Sequence, residues 1–287
     1  MSEMLVPTQA SAPVLDDPRD LYCDLLKKAL TRYVFRETWM PYHPRQGSLH
    51  GRLYQRGRHL LHRKGLELVL RFPFDEEARA TGRDWPPEAE TMIGLRRLDN
   101  LERCVKDVLA RGVPGDLIET GVWRGGAVIF MRGMLRAYGD RERTVWVADS
   151  FRGLPKPDPR RVEDVEDALW QVPFLAVSLE QVKANFQRYG LLDDQVRFLK
   201  GWFSDTLPDA PVEKISVMRL DGDLYDSTMV ALRSLYPKLS VGGYVIIDDY
   251  HAVRGCKQAV DDFRAEHGIV DELHQVDWTC RYWQRSR

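Results

Sequence analysis

Several signals that would place a chain in a familiar class are missing here. Cysteine is scarce: four in 287 residues, at Cys23, Cys104, Cys256 and Cys280, with no Cys-x-x-Cys pair. That spacing excludes a zinc framework or a disulfide-stapled scaffold and fits the reduced thiols of a cytoplasmic protein. Net charge is nearly absent, at −1, so no global field draws the chain to nucleic acid or to a membrane surface. The basic stretch from Arg45 to Arg71 is balanced by its neighbours and reads as a solvated face or a surface for an acidic partner. No apolar run is long enough to span a bilayer, and the first residues lack the basic and apolar regions of a signal peptide. Gly-x-Gly-x-x-Gly is missing too, which disfavours a nicotinamide oxidoreductase or a sugar epimerase.

What is present is an ordinary core composition, 44% hydrophobic, and a regular alternation from residue 116 onward. Residues 1–17 read as a flexible leader. A helix is expected from Asp20, with Leu21, Leu25, Ala29 and Tyr33 on one face. Prolines and glycines break the pattern between Trp39 and Pro87, which predicts short helices and loops. Together residues 18–94 form the expected helical cap, and residues 95–287 the catalytic domain. Leu95 to Ala110 is helical. Strands are then expected at 116–122, 144–148, 196–203, 214–220 and 244–247, with helices at 126–138, 178–189, 226–239 and 256–266. Two extended pieces within 270–283 suggest an antiparallel closing hairpin. This is an α/β chain with a doubly wound, mainly parallel sheet and an antiparallel C-terminal strand.

Two acidic pairs follow short apolar runs: Asp221 and Asp223 in Leu220-Asp-Gly-Asp-Leu-Tyr225, and Asp248 and Asp249 in Val245-Ile-Ile-Asp-Asp-Tyr250. In a parallel sheet such residues emerge at the carboxyl edge, where open α/β sheets bind ligands. Carboxylates crowded there repel one another unless a cation or protons intervene. A hard divalent ion such as Mg²⁺ suits them, and Asp221, Asp248 and Asp249 can supply its oxygens. Asp223 is the candidate general base, with His251 beside it as the alternative. Tyr225 and Tyr250 are placed to stack on a substrate ring or to fill the core. Asp226-Ser-Thr228 reads as the cap of the next helix.

The turn Glu119-Thr-Gly-Val-Trp-Arg-Gly-Gly126 lets a ligand approach the backbone through Gly121 and Gly125, ahead of a helix N-terminus. Glu119 is placed to accept from an ammonium group. A cofactor with an amino-acid end suits such a turn better than a pyrophosphate does. Asp149 ends an apolar run where an acid accepts from ribose hydroxyls, and Trp202 with Phe203 offers rings for an adenine, or core filling. Arg152 to Phe174, rich in proline and acids, reads as a lid.

These segments, with Ala148-Asp-Ser-Phe151 and Val241-Gly-Gly-Tyr-Val-Ile-Ile-Asp-Asp-Tyr250, resemble the macrocin O-methyltransferase family from about Asp20 to Trp283. The resemblance implies a class I, Rossmann-like methyltransferase fold, with S-adenosylmethionine and Mg²⁺ as cofactors. The substrate it implies is a sugar hydroxyl of a glycosylated natural product. It includes Thr91-Met-Ile-Gly94, and so adds Thr91, Met92, Thr120, Ser150 and Asp221 to the expected cofactor contacts. It also supports Asp221, Asp248 and Asp249 as metal ligands. A homo-oligomer, at least a dimer, is expected from the apolar face of the first helix. The rival is a haloacid-dehalogenase-like phosphatase, which also uses Asp-x-Asp and Asp-Asp around Mg²⁺. It is disfavoured by Tyr225 and by the motif following the fourth expected strand. A non-catalytic cofactor-binding module is disfavoured by retention of all four acids.

Overall fold

The alternation beginning at Asp116 builds one seven-stranded sheet in the computed structural model, which describes residues 17–36, 39–42 and 49–287. Its strands are β3 (Asp116–Thr120), β4 (Val145–Asp149), β5 (Val196–Lys200), β6 (Ile215–Leu220), β7 (Leu239–Ile247), β8 (His274–Gln275) and β9 (Arg281–Gln284). They lie in the order β5-β4-β3-β6-β7-β9-β8, with the first five parallel and β9 antiparallel to both β7 and β8. From β3 the chain moves outward to β4 and β5, then returns to the other side of β3 for β6 and β7. The order therefore reverses between β3 and β6, and the crevice above that point is where such sheets bind ligands.

Successive residues of the central strands serve opposite layers, as the pleat requires. Leu117, Val145, Val147 and Val217 join the core beneath α4 (Leu95–Ala110), α5 (Gly126–Ala137) and α6 (Leu179–Arg188). Ile118, Trp146, Ala148 and Met218 join the core beneath α8 (Tyr225–Leu235) and α9 (Arg254–Glu266). Both faces are thus covered, which explains why these strands read as continuous apolar runs.

The N-terminal part differs from expectation in two ways. Helix α1 (Pro18–Leu30), capped by Asp17, buries Cys23, Leu26 and Leu30 and leaves Leu21 and Leu25 exposed. It can approach α5 closely because Gly133 stands opposite: a Cβ there would lie 2.4 Å from Leu26 Cδ2. The stretch expected to be irregular contains a two-stranded sheet, β1 (Trp39–Pro41) with β2 (Val69–Arg71), and the 15-residue helix α2 (Leu49–Arg63), followed by the short α3 (Glu76–Ala80). Gly51 and Gly57 within α2 hid it as a sequence pattern, because glycine weakens any helix reading. The expected leader lies outside the described residues apart from Asp17.

Element boundaries also move. The third strand stops at Lys200, and Phe203 opens the one-turn helix α7 (Phe203–Thr206) instead. β7 begins at Leu239, so the strand expected from Tyr244 starts earlier and takes in Gly242 and Gly243. A register shift against β6 between Ile215 and Val217 and a positive φ of 83° at Gly242 accommodate the irregularity. Helix α8 begins at Tyr225, so Asp226, Ser227 and Thr228 are inside it and do not cap it. Among the described residues, no helix is long and apolar enough to cross a membrane.

Candidate active site at the carboxyl edge of the sheet

The crevice at the β3/β6 reversal is held tight by one glycine. Gly121 has φ +80°, and a Cβ on it would lie 1.8 Å from the carbonyl oxygen of Asp221. Only glycine satisfies both demands, so the turn after β3 touches the loop after β6. Gly125, at φ +88°, is the N-cap of α5. Gly126 donates its N–H to Glu90 O (2.9 Å), and a Cβ there would meet Thr91 Cβ at 2.5 Å. The Thr91–Gly94 segment is therefore laid directly on the start of α5.

A cavity of about 640 Å³ opens above this edge. Of the residues singled out in the sequence, Met92, Gly121, Asp149, Ser150, Trp202, Asp221 and Asp223 line it, with Phe203 beside Trp202. Glu119, Thr91, Thr120 and Gly125 lie outside its lining. Asp149 accepts from Val122 N (2.8 Å) and Phe151 N (2.6 Å), so the acid expected to meet a ribose also ties together two cavity loops. Each carboxylate oxygen has a second lone pair, which leaves acceptor capacity toward the cavity. Ser150 Oγ donates to Gly153 O (2.7 Å) and accepts from Arg152 N (3.0 Å), fixing the start of the lid segment.

The acids divide into two groups. Asp221, Asp223 and Asp249 each bring a carboxylate oxygen within 4.8 Å of the others. All three have carboxyls raised above the usual range, by burial first and then by neighbouring acids. The effect is strongest for Asp223 and Asp249. Asp249 Oδ2 is buried without a hydrogen-bond partner. An orphaned oxygen inside a repelling trio is the donor set that a hard cation satisfies.

Asp248 belongs to the other group. Arg97 Nη1 donates to its Oδ2 at 2.6 Å, and Arg219 pairs with its Oδ1. Burial alone raises this carboxyl, but Arg219 and Arg97 outweigh it and hold it below the usual range. Arg219 sits in the middle of β6, registered against Glu119 on β3. It also pairs with Glu119 and, at 2.9 Å, with Asp221. Burial pushes Glu119 upward, with Arg219 opposing it; its second oxygen is buried and unpartnered. Removing one member of such a buried set leaves the rest uncompensated, at a cost of about 3–5 kcal/mol.

The remaining candidates stand apart. Tyr250 is buried and donates to Asp261 Oδ1 (2.6 Å), and Tyr225 donates to Asp262 Oδ2 (2.9 Å); neither lines the cavity. His251 is exposed, and its Nε2 accepts from Arg281 Nε (2.9 Å) on β9. Sequence reasoning passed over Arg219 and Arg97. The signal for Arg219 was available: a lone arginine inside the apolar run Ile215-Ser-Val-Met-Arg-Leu220 implies a buried partner. Asp164, which also lines the cavity, gave no comparable signal among the other lid acids.

The Macrocin-O-methyltransferase (TylF) family profile matches residues 19–285. The chain is 50% identical over 273 residues to 8-demethyl-8-(2,3-dimethoxy-alpha-L-rhamnosyl)-tetracenomycin-C 4'-O-methyltransferase of Streptomyces olivaceus, covering 94% of this chain and 95% of the relative. It is 48% identical over 285 residues to demethyldecarbamoylnovobiocin O-methyltransferase of Streptomyces niveus, covering 99% and 100%. The solved structure of the O-methyltransferase NovP superposes with a TM-score of 0.80 at 48% identity, over 94% of this chain and all of that one. The phosphatase alternative falls with these matches, and with the Asp-x-Asp pair following β6 instead of the first strand of the sheet. Shared sequence over nearly its full length, on a sheet whose crevice carries the glycine turn and the acid trio, means that this chain belongs to the macrocin-O-methyltransferase family of S-adenosylmethionine-dependent O-methyltransferases.

Proposed function

We propose that this enzyme methylates a sugar hydroxyl of a glycosylated natural product, with Mg²⁺ held beside the cofactor. The observation that carries the reading is the trio Asp221, Asp223 and Asp249, two of which, Asp221 and Asp223, line the same cavity as Gly121 and Asp149. Relatives named for a rhamnosyl tetracenomycin and for a novobiocin precursor support the acceptor class.

In this reading Gly121, Asp149, Ser150, Met92 and Trp202 bind S-adenosylmethionine. Thr91, Thr120, Gly125 and Glu119 shape the turn beneath it. Asp221 and Asp249 are the cation ligands, and Asp248 keeps the two buried arginines neutralised. Bound Mg²⁺ supplies positive charge that stabilises alkoxide character on the acceptor oxygen. Asp223 would take the acceptor hydroxyl's proton, and S-adenosylmethionine, held by the residues above, would supply the methyl group and leave as S-adenosylhomocysteine. Tyr225 and Tyr250 support α8 and α9 from outside the cavity, and His251 holds the C-terminal strand through Arg281.

Four buried free thiols suit work in the cytoplasm on a small molecule, with neither nucleic acid nor membrane as partner. The exposed outer face of α1 suits self-association into at least a dimer. Calorimetric titration with S-adenosylhomocysteine tests the cofactor site: micromolar binding is expected both with Mg²⁺ and with EDTA. Methyl transfer to glycosylated acceptors is expected only with Mg²⁺. Turnover undiminished by EDTA would remove the metal from the reaction, and absent binding by folded protein would remove the cofactor site.

A further inference from the structure

Helix α8 follows directly on the loop that carries Asp221 and Asp223, yet its own sequence does not cap it. Its N-cap residue is Leu224, whose side chain accepts nothing. The acceptor comes from the lid instead. Asp164 Oδ2 takes the N–H of Tyr225 at 2.9 Å, across 61 residues of chain. Asp164 is only 2% exposed although it lies in an otherwise exposed turn. It also fits against α9: a Cβ on Gly255 would lie 1.7 Å from Asp164 Oδ1 and 2.9 Å from Tyr225 N. Lid, α8 and α9 therefore meet at one point where only glycine leaves room for the carboxylate. A second tie flanks the first. Arg161 pairs with Asp226 (2.7 Å) and covers the Tyr225 ring at 4.2 Å.

We infer that Asp164 is a positioning residue, a lid carboxylate that caps α8 and thereby sets the Asp221–Leu224 loop only when the lid is docked. The physical reason is the strain in that loop. Asp223 sits at φ +55°, in the left-handed region, and Leu224 N donates back to Gly222 O at 2.6 Å. Such a conformation persists only where its surroundings over-determine it. A helix start without a local cap is the weakest part of those surroundings. Docking of Asp164 supplies the missing acceptor and joins the lid, Gly153 to Pro159 of which lines the cavity, to the candidate base. Lid closure over the ligands and assembly of the catalytic loop then become one event. This rests on the methyl-transfer reading of the site.

The test uses full-length Asp164→Ala, Asp164→Asn, Asp164→Leu and Gly255→Ala, the last bringing a methyl group into the latch from α9. Hydrogen exchange of the S-adenosylhomocysteine complex is followed by mass spectrometry in lid peptides and in peptides from 221–230, alongside kcat, KM and cofactor affinity. Asp164→Ala and Gly255→Ala are expected to speed exchange in both regions together, leaving β3 and β4 protected, and to lower kcat at least tenfold. KM for the acceptor should change less than kcat. Asp164→Asn keeps a carbonyl acceptor for Tyr225 N–H and should recover most of the loss, whereas Asp164→Leu, which fills the space without an acceptor, should not; equal recovery by both would reduce Asp164 to a packing role and overturn the inference. Unchanged exchange at the start of α8, or unchanged kcat in Asp164→Ala, overturns the inference. If the wild-type protein transfers no methyl group, the functional reading fails, while coupled or uncoupled exchange still decides the latch.

Discussion

Asp223 combines three unusual properties in one residue. Its backbone is left-handed, its carboxyl is raised by burial and then by Asp221 and other acids, and it faces the cavity. Asparagine and aspartate both tolerate the left-handed region better than other side chains, so Asp223→Asn removes the base without reshaping the turn. A general base contributes about 10²–10⁴-fold, and kcat should fall by that order while S-adenosylhomocysteine affinity stays within about twofold. Only the deprotonated form accepts the acceptor's proton. Wild-type turnover should therefore be lost as pH falls through the raised pKa of the acid group, and Mg²⁺ should move that loss toward lower pH by favouring the charged form. Near-normal turnover in Asp223→Asn, measured by product formation, would transfer the base role elsewhere. His251 is poorly placed to inherit it, with Arg281 already on its ring nitrogen.

At the scale of elements, the turn between β3 and α5 shows what a sequence can and cannot announce. Its glycines were legible because their reason is local: positive φ at Gly121 and Gly125, with a helix N-terminus immediately after. The contact that makes Gly121 indispensable, with the Asp221 carbonyl a hundred residues later, was not. The same holds for the cap of α8, supplied from the lid, and for the pairing of Arg97 with Asp248, 151 residues apart. Local chemistry selects helix starts and turns, whereas partners brought together by topology leave no mark on spacing. Gly121→Ala gives this a measurable form. A Cβ in left-handed backbone costs about 1–2 kcal/mol, and the 1.8 Å approach to Asp221 forces β3 and β6 apart at the crevice. The variant should keep its circular dichroism spectrum, melt earlier, and bind S-adenosylhomocysteine at least tenfold more weakly by calorimetry. Unchanged affinity would mean that the crevice does not hold the cofactor.

Across the whole molecule, sheet architecture was readable because both faces are covered. Apolar runs long enough for a doubly buried strand, each followed by a helix, leave few topologies. The cap was less readable because its elements bury little. Val69 and Leu70 of β2, Leu60 of α2 and Phe72 remain exposed, as do Leu21 and Leu25 of α1, at 52% and 60%, and Phe35. Among the described residues these large side chains concentrate in the N-terminal part, and exposed apolar patches of this kind mark interaction surfaces. The proposed self-association would bury them against a second copy of the chain. A glutamate at a position already more than half exposed costs the single chain little, but it places an unpaired charge inside such an interface. Light scattering should therefore give a mass of two chains or more for the wild-type protein. Leu21→Glu combined with Leu25→Glu should shift it toward one chain, with far-ultraviolet circular dichroism unchanged. A wild-type protein that stays at the mass of a single chain at every concentration would leave the outer face of α1 without this role.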